Sequence, residues 1–353
     1  MYLYPVLYCE GLIMKNILIA VLIMVAIASL MMNFSSRKEM SGGEKITFAT
    51  SATFYPNTGE AIGITKYVEA LEGLFKHNPA FKGNVDFRTY TRSSMFPNPA
   101  AHLEAASTNA IQITYNGPQE IEMLEPAYKV ANIPGLFNDF DHFSRAMNSD
   151  AWKKVEDRLA AKKGIKIIHW GYDAGVMYIF SRDKIETLSD IEGLRIRYPG
   201  GDAWRLGLVG LKTNPIPLPY TEVVTALQTN LIDGLISDFA GGVPYLGLKD
   251  YTTHATLVPV SIQPIAVIAS AQWWGSLTTA QQVAIDKMFA VLDINHYYDQ
   301  LTSELIAEWG NSEGLTSVTP VDLDDWRKAM KASAISLVDG IDEALLEAIK
   351  DAE

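Results

Sequence analysis

At 353 residues, with 48% apolar and 20% charged side chains, the chain can bury two cores of ordinary size, which excludes a disordered tract, a collagen-like repeat and a small disulfide scaffold. Its 29 Lys and Arg against 41 Asp and Glu leave a formal net charge of −12; duplex-binding surfaces need clustered cations, so nucleic acid is not an expected partner. A diffuse negative field does not exclude an anionic small ligand, because one buried arginine outweighs it at short range. The one cysteine, Cys9, lies ahead of the globular part, which leaves that part without a disulfide, a Cys-ligated metal or a Cys nucleophile.

Residues 1–43 read as a signal peptide or N-terminal anchor followed by a linker. Ile17 to Met32 is apolar except for Ser29, preceded by Lys15 and followed by Arg37 and Lys38, the layout of an export signal. As a helix the run rises about 24 Å, short of a ~30 Å hydrocarbon core, which favours a signal over a stable span. Ala26-Ile27-Ala28 has the form signal peptidase prefers, yet Leu30-Met31-Met32 continue the apolar run, so an uncleaved inner-membrane anchor is the alternative. Residues 1–13 carry Glu10 and no basic residue; Met14 makes the better translation start.

Beyond a Ser-Gly-Gly linker, Lys45–Thr50 reads as a first strand leading into a loop with Phe54, Tyr55 and Pro56. Helical spacing follows over Ile62–Phe75, alternation over Asn84–Tyr90, a helix around Ala100–Thr108 and a strand Ala110–Tyr115 that stops at Asn116-Gly117-Pro118. Such strand ends are where open α/β sheets bind ligands. Ile165–Trp170 and Val176–Ser181 read as two strands separated by Gly171–Gly175, where a crossing between lobes is expected. Three prolines in Asn214–Pro219 exclude a helix there. Thr221 is expected to cap a helix from Glu222 to Thr229, and Leu231–Ile236 a strand whose Gly234 admits another backbone. The chain ends in acidic, mostly helical segments, Thr278–Trp309 and Leu323–Lys350.

Two blocks stand out: Leu188-x-Asp190-x-x-Gly193-Leu194-Arg195-Ile196-Arg197, then Pro215-x-Pro217-Leu218-Pro219-Tyr220-x-Glu222 running on to Ala226-Leu227-Gln228-Thr229-x-x-Ile232-Asp233-Gly234. Their order and spacing resemble the solute-binding proteins of tripartite ATP-independent periplasmic (TRAP) transporters, the DctP-type family. Ile133–His142 is similar to the family's Pro-x-Leu-Phe segment and its Asp-x-x-His turn, and Glu304–Gly314 to its helix-to-Gly step. The resemblance implies an α/β, two-lobed periplasmic binding protein fold, with mixed sheets, hinge strands and a long lobe-spanning helix. Residues 44–174 with about 263–302 would form lobe I, and 175–262 with about 303–353 lobe II and the C-terminal helices. It implies a periplasmic monomer without enzymatic activity or cofactor that closes on a small organic acid and delivers it to the membrane permease.

In that family the arginine ending Gly-x-x-x-Arg pairs bidentately with the ligand carboxylate, and the matching residue is Arg197. A planar fork suits a planar carboxylate better than a lysine would. Where sialic-acid-type members carry a second Arg the ungapped count falls at Met177, and where they carry an Asn it falls at Ser237. Both changes lower polarity and point to a monocarboxylate with an apolar or aromatic body, since a second carboxylate would be buried unpaired. Phe54, Tyr55, Tyr115, Trp170, Tyr198 and Phe239 could supply rings, and Asp238 could take an ammonium group.

Arg195 is expected to be solvated and to point away from Arg197, and Glu222 to be structural. Asn116 and Tyr115 either face the ligand or serve as a turn residue and a packed ring. No P-loop, nucleophile elbow or zinc-helix motif is present, and the six histidines show no metal-ligand spacing. A lyase on the same fold would need an acid/base pair near Arg197, for which Asp238 with His169 is the candidate. A receptor that docks on a membrane sensor when loaded would share the same site.

Overall fold

The computed structural model describes residues 44–49, 62–81, 85–91, 94–292 and 294–353. The expected leader and the loop carrying Phe54 and Tyr55 lie outside the described residues.

Among the described residues nine strands form one mixed sheet. Across it run β2 (Val85–Tyr90), β1 (Glu44–Ala49), β3 (Ile113–Asn116), β8 (His254–Ser270), β4 (Ile165–Ser181), β7 (Gly234–Ser237), β5 (Arg195–Tyr198) and β6 (Asn214–Pro217), while β9 (Thr316–Val318) pairs with the start of β8. β1 is parallel to β2 and β3 at one end of the sheet, and β5 to β6 and β7 at the other. β4 and β8, each 17 residues long, run antiparallel between the two ends. At about 3.3 Å per residue each spans ~55 Å, far beyond the usual strand, so both pass through the two lobes.

The two strands expected around Gly171–Gly175 are therefore one. The pattern looked broken because the β4–β8 ladder shifts register between Tyr172 and Val176 and again between Met177 and Ile179. Each bulge interrupts strict alternation. Pro259 falls inside the second break and Pro264 beside the first, positions that tolerate a missing N–H. The helix expected from Glu222 begins at Val223 after a 3-10 turn, Tyr220–Glu222. Glu222, not Thr221, holds its N-cap position without a side-chain bond.

Three apolar clusters fill the fold. The first gathers Ile46, Phe48, Tyr128, Trp152, Trp170 and Val267 into lobe I. The second (Ile179, Ile196, Trp204, Trp326) and the third (Phe180, Leu235, Phe239, Trp309) lie on the two faces of the lobe II sheet. The helix Ile294–Asn311 packs Leu301 against the first cluster and buries Trp309 in the third, spanning both lobes. The C-terminal region departs from the expected division. Helix Leu323–Ala334 buries Trp326 and Met330 in lobe II, whereas helix Glu343–Asp351 returns to lobe I, with Leu345 and Ile349 in the first cluster. An amphipathic helix declares an apolar face, not the surface that covers it.

His142 fixes that return. Asp139 caps the helix Phe140–Met147 by accepting from the His142 amide at 2.7 Å. The ring accepts from the Asn138 amide at Nδ1, so Nε2 carries the proton and donates to the Ile349 carbonyl at 2.7 Å.

In the same lobe, burial pushes the Glu156 carboxyl up to about 7, against the pull of Lys166. A carboxyl raised in the folded state contributes its full stability below the unfolded value near 4.3 and loses it as pH rises toward about 7. Glu156→Gln should therefore melt higher than the parent at pH 8, by about 1–2 kcal/mol, with the advantage gone by pH 4. Thermal unfolding across that range checks it, and an advantage that grows toward acid pH would contradict the assignment.

Candidate functional site

The first signature block folds as a chain of small necessities. Asp190 accepts from the backbone N–H groups of Glu186 and Thr187, at 3.0 and 2.8 Å, closing a capping box with Thr187. The turn then needs Gly193 at φ +76° before the chain enters β5. In the second block, Gly234 lies so close to β4 that an added Cβ would sit 2.7 Å from the Phe180 carbonyl oxygen. That close approach was legible in the sequence. Asp233 clamps Arg195 through three bonds: its Oδ2 accepts from the Arg195 backbone amide at 2.8 Å and from Nε at 2.9 Å, and its Oδ1 from Nη2 at 2.5 Å.

Arg195 is thus ion-paired and only half-buried, not freely solvated. Residues two apart in a strand share a face, so alternation does not separate it from Arg197. Depth along β5 does: Arg195 opens the strand, while Arg197 lies near its carboxyl end at 1% exposure. The Arg197 Nε and Nη2 both donate to the Leu218 carbonyl, at 3.0 and 2.9 Å, and the guanidinium carbon stands 5.6 Å from the centre of the Tyr220 ring. A backbone acceptor and a ring face together fix the plane of the fork. Tyr220, directly after Pro217-Leu-Pro219, stands in the signature block but is not among the rings expected from the sequence.

Strand register shows which candidates join Arg197. Arg197 pairs with Leu235 and Tyr178 with Ser237, so Arg197, Ser237 and Tyr178 share one face of the sheet. Phe239 packs against Tyr178 with ring centres 5.6 Å apart. Ser237 is 1% exposed and its hydroxyl has no hydrogen-bond partner. It fits because residue 242 is glycine, where a Cβ would lie 1.9 Å from the Ser237 Oγ. Asp238 is spent on structure: its Oδ1 accepts from the Gly241 and Gly242 amides, and burial raises the carboxyl to about 6. The ammonium role considered for it has no support in this geometry.

Other candidates lie elsewhere. Met177 and Tyr198 pack with Ile196 and Trp204 on the opposite face, in the second cluster. Trp170 belongs to the lobe I core, edge-on to Phe143 at 5.2 Å. Tyr115 packs against Tyr67 at 5.9 Å. Asn116 acts as a fastener at the end of β3, accepting from Thr114 and donating to the Pro99 carbonyl at 3.1 Å. His169 stacks on Phe289 at 4.5 Å in lobe I, and burial holds it down at about 4. It therefore sits in a different lobe from Asp238, and no acid/base pair forms from them.

The lobes meet across the strand ends. A Cβ on Gly201, just past β5, would lie 3.9 Å from the Gln119 Cβ, just past β3, and one on Gly207 would lie 2.6 Å from Pro134. Ala203 and Ala240 of lobe II count among the lobe I cluster. The two lobes thus meet in the crevice outside the carboxyl ends of both sets of parallel strands, where open α/β sheets bind ligands. Gln119 had carried no signal in the sequence beyond following a strand end. A cavity of about 550 Å³ is lined by Phe137, Asp141, Tyr178, Ser261 and Arg327 and touches this face at Tyr178.

Comparison with known proteins agrees with this geometry. Residues 64–337 match the family described as bacterial extracellular solute-binding protein, family 7, DctP. A solute-binding protein of Sulfitobacter sp. is 28% identical over 177 residues, 50% of this chain and about half (53%) of that relative's length. The C4-dicarboxylate-binding periplasmic protein DctP of Vibrio cholerae is 22% identical over 261 residues, 72% of this chain and 76% of that one. Among solved structures, a TRAP periplasmic solute-binding protein of Shewanella oneidensis with bound succinate superposes with a TM-score of 0.73 at 21% identity, covering 88% of this chain and 99% of that one. The chain belongs to bacterial extracellular solute-binding protein family 7, DctP.

Proposed function

We propose that this protein captures a small organic acid in the periplasm, holds its carboxylate on Arg197 by lobe closure, and delivers it to a TRAP membrane permease. The observation that carries the reading is the buried guanidinium of Arg197, aimed by Leu218 and Tyr220 at the mouth of a closing crevice. Closure excludes water and strengthens a charge pair made there.

The organic-acid class is supported by the company the chain keeps. Relatives are named for C4-dicarboxylates and sialic acid, and neighbours of the same fold were solved with succinate, galactonate, L-gulonate or D-glucuronate. Within that class we favour a monocarboxylate with an apolar or aromatic body. Among the described residues Arg197 is the one buried Lys or Arg. Tyr178, Tyr220, Phe239 and Leu235 supply apolar and aromatic surface near it, with the Ser237 hydroxyl as a polar group for the ligand's tail. A second carboxylate would be left without a counter-charge.

A thermal-shift panel tests this on the purified protein. Aromatic and 2-oxo monocarboxylates should raise the melting temperature and C4-dicarboxylates should not. A strong shift with succinate and none with monocarboxylates would overturn the ligand class.

A further inference from the structure

We propose that the C-terminal segment Ile335–Asp342 is a strap that limits how far the two lobes part. The chain crosses between lobes in β4, β8 and the helix Ile294–Asn311, and then once more at this segment. Its two ends are held by different bodies. On one side, helix Leu323–Ala334 packs so tightly on helix Asp202–Gly210 that a Cβ on Gly210 would lie 2.3 Å from the Ala329 carbonyl oxygen, so these helices move together with lobe II. On the other, helix Glu343–Asp351 is fastened to lobe I. The buried His142 donates to the Ile349 carbonyl, Trp152 Nε1 to the Leu345 carbonyl at 3.3 Å, and Arg145 Nε to the Ala352 carbonyl at 2.9 Å.

The strap runs beside the seam that must open. Helix Asp202–Gly210 carries the lobe II side of that seam, with Gly201 facing Gln119 at its start and Gly207 facing Pro134 at its middle. Within the strap, the Asp339 carbonyl accepts from Lys129 of the 3-10 segment Pro126–Asn132, on the lobe I side of the same seam. Parting the seam carries one anchor away from the other, and Ile335–Asp342 has to extend. A cavity of about 550 Å³ lies between the segment Phe137–Asp141 and Arg327, while Leu337, Val338 and Ile341 of the strap pack against the lobe I cluster, so parting the lobes pulls on the chain where it leaves helix Leu323–Ala334.

Truncation would uncover Trp152 and His142 and confound the result. The test is instead a four-residue Gly-Ser insertion after Gly340, which lengthens the strap and leaves both anchors in place. Spin labels on Lys162→Cys of lobe I and Asp183→Cys of lobe II, both exposed, in a Cys9→Ser background, report the interlobe distance of ligand-free protein. The insertion should shift the distribution to longer distances at an unchanged melting temperature. Arg145→Ala, which releases the exposed bonds to Ala352 and Glu353, should shift it in the same direction by less. Superimposable distributions for parent and insertion variant would overturn the proposal, as would a lengthened distribution for Arg145→Ala alone.

Discussion

Arg197→Ala should abolish measurable capture of any carboxylate that stabilises the parent in the thermal-shift panel, weakening affinity by at least about 100-fold. Truncating one partner of a desolvated charge pair costs about 2–5 kcal/mol, much of it from the ligand charge left buried and unpaired. Arg197→Lys should recover part of the loss and remain about tenfold weaker than the parent, because an ammonium keeps the charge but loses the planar fork. The alanine variant also frees the Leu218 carbonyl, which now accepts from two guanidinium nitrogens at 3.0 and 2.9 Å. Its melting temperature should therefore fall slightly even without ligand. Calorimetry with the strongest panel compound separates the two effects: unchanged affinity in Arg197→Ala would remove this residue from the site.

Gly210→Val should be the most damaging single change among those considered for lobe II. The added Cβ would stand 2.3 Å from the Ala329 carbonyl oxygen and 2.9 Å from the Ser333 Cβ. The obstruction is backbone, which cannot swing aside as a long side chain would, so the helices Asp202–Gly210 and Leu323–Ala334 must separate. That loosens the packing around Trp204 and Trp326 in the second cluster. Overpacking of this kind costs about 3 kcal/mol or more. Denaturant unfolding should show the loss, and a variant as stable as the parent would mean that the helices are not held at this distance. Because helix Leu323–Ala334 anchors the strap, the same variant should also lengthen the interlobe distance.

Much of lobe II was legible because its residues each have a local reason. Asp190 sits where a capping box needs a carboxylate, Gly193 where φ must be positive, and Gly234 where β4 approaches. These demands fix the turn, the strand and the position of Arg197 with no knowledge of the rest of the chain. Ser237 and Phe239 followed from the same block and do join Arg197. Met177, Tyr198 and Trp170 did not: Tyr198 directly follows Arg197 and so faces the other way, and for the two β4 residues the face depends on register, which in β4 shifts three times. Polar atoms in Asn116 and Asp238 turned out to be consumed by backbone partners, something that spacing alone cannot show. Tyr220 carried a readable signal, an aromatic residue ending a Pro-x-Pro-Leu-Pro turn within the matched block. Gln119 carried none, since its role depends on the opposite lobe. The return of Glu343–Asp351 to lobe I rests on His142 and Trp152 bonding to backbone carbonyls some two hundred residues later, a pairing to which helical periodicity is blind.

The central claim, that the cleft holds an organic acid by its carboxylate on Arg197, is tested most directly by a crystal structure of the protein with the compound giving the largest thermal shift. The account predicts a carboxylate in the plane of the Arg197 guanidinium, within hydrogen-bond distance of it, with the ligand body against Tyr220 and Phe239. A ligand bound with its carboxylate away from Arg197, or one whose binding leaves the Gln119–Gly201 seam open, would contradict it.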